Sequence, residues 1–122
     1  MTKRILALAL AVSLLATAAS AMTVQEFLTT ASHIPQNPTA LLRSDTRRLM
    51  GEFRGAVRTV RDEQVAARAA SGRPATCMPE KVGFSPDEIL TRFNAIPAAR
   101  RNQISVTQAV REWMAERYPC PA

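Results

Sequence analysis

Histidine is almost missing from this chain: His33, between prolines and a short helix, is the only one. A histidine-based metal cluster is therefore unavailable, and no metal or other cofactor is expected. Aromatic residues are scarce as well, with one Trp, one Tyr and four Phe. That is a poor stacking surface for bases, so nucleic acid is not an expected partner despite the basic balance. No serine stands in a Gly-x-Ser-x-Gly elbow. The ten carboxylates are spaced as helix caps and i,i+4 partners rather than as a catalytic pair. The chain is read as a non-enzyme. Strand alternation and hairpin turns are also absent, and so is an apolar run of the ~20 residues that a membrane span needs.

The longest apolar run is Ile5 to Leu15, broken only by Ser13. It follows Lys3 and Arg4 and precedes Ala19-Ser20-Ala21, the order of a secretory signal: basic start, apolar core, small residues at the cut. Residues 1–21 are expected to be cleaved after Ala21, giving a periplasmic or secreted product with no stable membrane anchor. Residues 22–122 form one domain of 101 residues. The signal inflates the 47% hydrophobic fraction, and its loss takes the net charge from +6 to +4. Of the remaining basic residues only Lys81 is a lysine.

Cysteine is limited to Cys77 and Cys120, both in the exported part, where disulfides persist. Their spacing suits neither a redox pair nor a metal knuckle, and a catalytic thiolate would need one of them free. A structural disulfide closing about 44 residues is expected.

Helix signals fill the rest. Thr23-Val24-Gln25-Glu26 is a capping box, in which the Thr23 hydroxyl accepts from the third amide and Glu26 reaches back. Pro35 and Pro38 end the first helix, and Asn37-Pro38 reads as a new cap with proline at N1. A short helix over about 38–43 and a long one over about 45–70 follow. Leu49, Phe53, Ala56, Val57 and Val60 make one apolar stripe on the long helix. Gly51 and Gly55 stand inside it, through close approach of another helix or through simple tolerance. Ser71-Gly72-Arg73-Pro74 stops it, with the glycine as C-terminal signal. Ser85-Pro86-Asp87-Glu88 opens a helix carrying Ile89, Leu90, Phe93 and Ile96, and Pro97 ends it. One further turn spans about 98–103, and Ser105-Val106-Thr107-Gln108 opens the last helix, which runs to Tyr118. The expected fold is all-α: a small orthogonal bundle of four to five helices closed by one disulfide, with the C-terminal half as a helical hairpin and the long helix packed across it.

Arg47, Arg54, Arg58, Arg61 and Arg68 fall within about 80° of one another on the long helix and flank its apolar face. Such a stripe is either a docking surface for an acidic partner or a solvated face in an arginine-biased chain. Arg54, Arg58 and Arg61 are the candidate partner-binding residues. Expected i,i+4 partners are Arg48 with Glu52, Arg58 with Asp62, and Glu112 with Glu116 and Arg117.

The C-terminal half carries an ordered set of short elements: Cys77-Met78-Pro79-Glu80-Lys81-Val82, a helix with Glu88-Ile89-Leu90, Ser105-Val106 opening a last helix with Ala109-Val110, and Tyr118-Pro119-Cys120. Over residues 77–120 this resembles the Rap/Tai family of small periplasmic immunity proteins associated with type VI secretion. The resemblance implies an all-helical domain, often dimeric, whose partner is a secreted peptidoglycan amidase that it blocks. Cys77 and Cys120 would supply the closure, and Pro79 and Pro119 would fix the flanking turns. The N-terminal half departs from that pattern: the extra cysteines are missing, and only Gly51 and Gly55 echo the family's glycine-bearing helix. Two other readings of the whole chain are a periplasmic acid-stress chaperone and an envelope protein without a discrete ligand.

Overall fold

The computed structural model describes residues 21–121. The expected signal over 1–21 lies, apart from Ala21, outside the described residues. Among the described residues there are five α-helices and one 3-10 helix: α1 (Val24–Ser32), the 3-10 helix (Pro38–Leu42), α2 (Ser44–Ala69), α3 (Pro86–Asn94), α4 (Ala98–Arg101) and α5 (Val106–Arg117). The all-α bundle with its disulfide is as the sequence predicts.

Three helices begin on the expected hydroxyl caps. Thr23, Ser85 and Ser105 each accept a hydrogen bond from the amide three residues on, at Glu26, Glu88 and Gln108. The return half of the Thr23 box is not formed by Glu26. Instead the cap segments of α1 and α5 pair with each other: the Val24 amide donates to the Ile104 carbonyl at 3.1 Å and the Val106 amide to the Met22 carbonyl at 2.9 Å. Two orphan amides of the first turns are thereby satisfied across the bundle, which fixes both helix entrances together.

Asn37 caps the following turn through Thr39, and Pro38 sits at its first position; the turn tightens to 3-10 geometry. At the far end of α2 the sequence-based expectation needs correction. The left-handed position is held by Ser71, with φ of 57°, not by Gly72. Ser71 and Gly72 donate back to the Arg68 and Ala67 carbonyls at 3.0 and 2.8 Å, a complete Schellman closure displaced by one residue. The glycine still matters, because a Cβ there would lie 3.2 Å from the Ala67 oxygen.

The buried face of α2 is Leu49, Phe53, Ala56, Val60 and Gln64. It packs chiefly against α5, which buries Val106, Ala109, Val110, Trp113 and Met114. α3 packs on α1 through Phe93 rather than forming a hairpin with α5. The expected C-terminal hairpin is therefore not formed: α5 packs chiefly on α2, and α3 packs on α1, which also packs on α2. These interfaces share one aromatic cluster. Phe27, Phe53, Phe84, Phe93 and Trp113, which are all the phenylalanines and the only tryptophan of the chain, meet there at centroid distances of 4.6 to 6.3 Å.

Gly51 and Gly55 do not mark a helix approach: a Cβ added at either would meet nothing within 4 Å. Both carry only the backbone-entropy cost of glycine in a helix, so each Gly→Ala replacement should raise stability by up to about 1 kcal/mol. Urea midpoints of the two single variants and the double check this, with near-additive gains expected.

The loop from Arg73 to Phe84 has no secondary structure and is held by hydrogen bonds to α2 and to the end of α5. Thr76 donates from its hydroxyl to the Met114 carbonyl at 2.8 Å, an acceptor it shares with the Tyr118 amide that closes α5. The Cys77 amide donates to the Tyr118 carbonyl at 2.8 Å. Gln64, buried in α2, accepts from the Met78 amide at 2.7 Å and donates to its carbonyl at 3.4 Å. One amide thus replaces a strand partner for Met78, whose side chain enters the core.

Candidate functional interface

Cys77 and Cys120 are bonded, with Cα atoms 4.9 Å apart, and join the loop after α2 to the residues after α5. No helix among the described residues is long and apolar enough to cross a membrane. A disulfide at this place is compatible with an oxidising compartment. His33 caps the end of α1 and is exposed, and no cluster of three or more metal-ligating side chains occurs among the described residues.

The ion pairs differ from those expected by spacing. Among the described residues, Arg48–Glu52 and Arg58–Asp62 are not formed. Glu112 and Glu116 turn instead to Arg100 and Arg92, at 2.9 and 2.7 Å, tying α5 to α4 and to α3. Glu63 takes both ends of the Arg111 guanidinium, at 2.9 and 2.7 Å, across the α2–α5 interface. That bond holds the Glu63 carboxyl below the ordinary glutamate range, and burial opposes it only in part. A lowered pKa means the stabilisation is complete above the ordinary range and lost as pH falls through the lowered one. Both side chains remain over a third exposed, so the gain is small, about 1 kcal/mol at most. Glu63→Gln should therefore lower stability near neutral pH and flatten the acid limb of a stability–pH curve measured by urea titration.

An open groove of about 740 Å³ lies beside the first half of α2. Its floor is α2 itself, with Thr46, Met50, Phe53 and Val57 at spacings of four, three and four. One wall comes from the end of α1 and the chain after it, through Ala31, Ile34 and Leu41; the other comes from Val82, Phe84, Ile89 and Leu90. Tertiary packing explains the opening: α1 and α3 bury Phe27 and Phe93 against each other deeper in the bundle, leaving Ile34, Ile89 and Leu90 half-buried above them. Leu41 and Leu42, at the groove's end, are 71% and 78% exposed, and Met50 is 42% exposed. Apolar surface of this kind, contiguous and rimmed by polar groups, marks interaction sites.

Arg54 is the only ionisable residue that lines the groove. Arg58 is exposed and Arg61 half-buried further along α2, and none of the three forms an ion pair among the described residues. Of the stripe, only Arg54 therefore sits at the edge of the apolar groove, with Arg58 and Arg61 beyond its lining. Leu41, Leu42 and Met50 were not picked out by periodicity. The available signal was two adjacent leucines in a capped turn and a methionine one position off the core stripe. The chain matches none of the family models, curated proteins or solved structures with which it was compared.

Proposed function

We propose that this is a periplasmic binding protein of the immunity type, which inhibits a secreted peptidoglycan-cleaving amidase by covering its active site. The reading is carried by the open apolar groove with Arg54, unpaired among the described residues, at its edge, a surface suited to a protein partner rather than to chemistry. The order of short motifs over residues 77–120, which resembles the Rap/Tai family, supports the choice of partner. The secretory signal read in residues 1–21 and the Cys77–Cys120 bond support the compartment. A disulfide-closed bundle also suits an inhibitor exposed to proteases, because local opening is what they exploit.

The test is co-purification and inhibition with secreted hydrolases encoded beside the gene. Stoichiometric binding and loss of peptidoglycan cleavage are expected. If no neighbouring hydrolase binds, the reading fails. In the same assay, replacing Arg54, Arg58 and Arg61 together by Ala should weaken the complex at least tenfold and reduce its salt dependence. Unchanged affinity and salt dependence would return the stripe to a solvated helix face.

A further inference from the structure

We propose that the groove along α2 takes an amphipathic helix of the partner protein, with its acidic flank laid against Arg54 and its apolar stripe on Met50, Phe53 and Val57. This deepens the inhibitory reading above and rests on it for the source of the helix, though not for the groove's chemistry.

Two observations point to a helix. The floor residues Thr46, Met50, Phe53 and Val57 lie on one stripe of α2 over about 17 Å, which is three helical turns. A partner helix with apolar residues at i, i+4, i+7 and i+11 presents the same spacing to that stripe, the usual arrangement of a helix bound in an apolar groove. The apolar surface also continues past the concavity to Leu42, 78% exposed and outside the groove lining. An alkyl chain filling the groove would leave that surface bare, whereas a helix lying along it would cover it.

Charge then selects the flank. Arg54 is the single ionisable lining residue, on the α2 side of the groove. Across it the charges are mixed: Asp87 and Glu88 open α3 beside the lining residues Pro86 and Ile89, while Lys81 adjoins Val82 and the Arg117 guanidinium lies 5.2 Å from the Phe84 ring. An acidic flank is therefore favoured where it meets Arg54. A second copy of this chain fits worse, since its own α2 would bring a further arginine row to the groove.

The experiment titrates the disulfide-bonded protein with an 18-residue helical peptide bearing Leu at i, i+4, i+7 and i+11 and Glu along one flank. A matched peptide has Lys in place of Glu. The Glu peptide should bind saturably, at least tenfold more tightly than the Lys peptide, and weaken with salt. Arg54→Glu should reverse the preference. Met50→Glu, at an exposed position that leaves the core intact, should cost at least tenfold for either peptide. Equal binding of the two peptides, no binding, or indifference to Met50→Glu overturns the proposal. So does concentration-dependent dimerisation that excludes the peptide and is lost in Leu41→Asp, or uptake of dodecanoate with no peptide binding. The two readings fail separately: a hydrolase complex insensitive to Met50→Glu and Leu41→Asp sinks the groove but not the inhibitor, and peptide binding without any hydrolase partner does the reverse.

Discussion

Replacing Cys77 and Cys120 together by Ser is expected to cost about 4 kcal/mol of folding stability, the chain-entropy value for a closed loop of about 44 residues. For a domain of this size, whose total stability is on the order of 5–15 kcal/mol, that is a large share. The corresponding fall in melting temperature is on the order of 15–30 °C. The loss should come from the unfolded side. In the native state the same two segments are also joined by Thr76 to the Met114 and Tyr118 carbonyls, by Cys77 to Tyr118, and by Arg73 to the Pro121 carbonyl at 3.0 Å. Those bonds do not need the sulfurs, so the substituted protein should keep its native structure while its unfolded chain gains freedom. Two signatures follow. The urea m-value should rise, because the open chain exposes more surface on unfolding. Reduction of the wild-type protein should reproduce the double substitution in both midpoint and slope. A cost below about 1 kcal/mol would contradict the entropic account and assign the joint to the hydrogen bonds alone.

The parts of the fold legible in the sequence are those set by local chemistry. Thr23, Ser85 and Ser105 announce helix starts because a hydroxyl before a helical run has few other uses. Prolines 35, 38 and 97 announce stops. The stripe from Leu49 to Val60 is legible because periodicity reflects a single helix and its core. What remained hidden depends on non-local partners. Gln64 continues the buried stripe, but its side chain reads as surface until the Met78 main chain is brought against it. Ser71 adopts the left-handed conformation although glycine follows it, a displacement that no local signal announces. The spacing of Glu112 and Glu116 suggests neighbours on their own helix, yet the bundle supplies Arg100 and Arg92 at shorter reach. The groove is the extreme case. Its residues come from six segments between Phe27 and Leu90, and no one segment taken alone shows a concavity. Only the crossing of α1, α2 and α3 shows that they surround a space.

The second large effect is expected at Phe93, where substitution by Ala should cost about 3–5 kcal/mol. Phe93 has no solvent exposure and is among the largest fully buried side chains. Its ring meets Phe27 of α1 edge-on at 5.0 Å and Phe53 of α2 at 6.3 Å, and Phe53 in turn meets Trp113 of α5 at 6.1 Å. Removing it opens a cavity where three helices converge, and edge-on aromatic contact adds about 0.5–1.5 kcal/mol beyond area burial. Phe93→Leu keeps most of the volume and should cost clearly less. Phe84, half-buried on the loop, should also cost less than Phe93 when changed to Ala, since part of its surface is already wet. The effect should reach the groove as well. α3 is anchored by Phe93, and it carries Ile89 and Leu90, which form part of the groove wall. Peptide affinity should therefore fall in Phe93→Ala even where the protein is still folded, while Phe93→Leu keeps it. Finally, the core substitution acts on the native state and the disulfide on the unfolded chain. Their costs should add within a few tenths of a kcal/mol, as for independent sites. The triple variant would then lose about 7–9 kcal/mol, more than the whole stability of a domain at the low end of the 5–15 kcal/mol range. Urea titrations of the wild type and of the separate variants should give costs whose sum matches that of the triple variant, and a sum that departs by more than about 1 kcal/mol would show that the two effects are coupled.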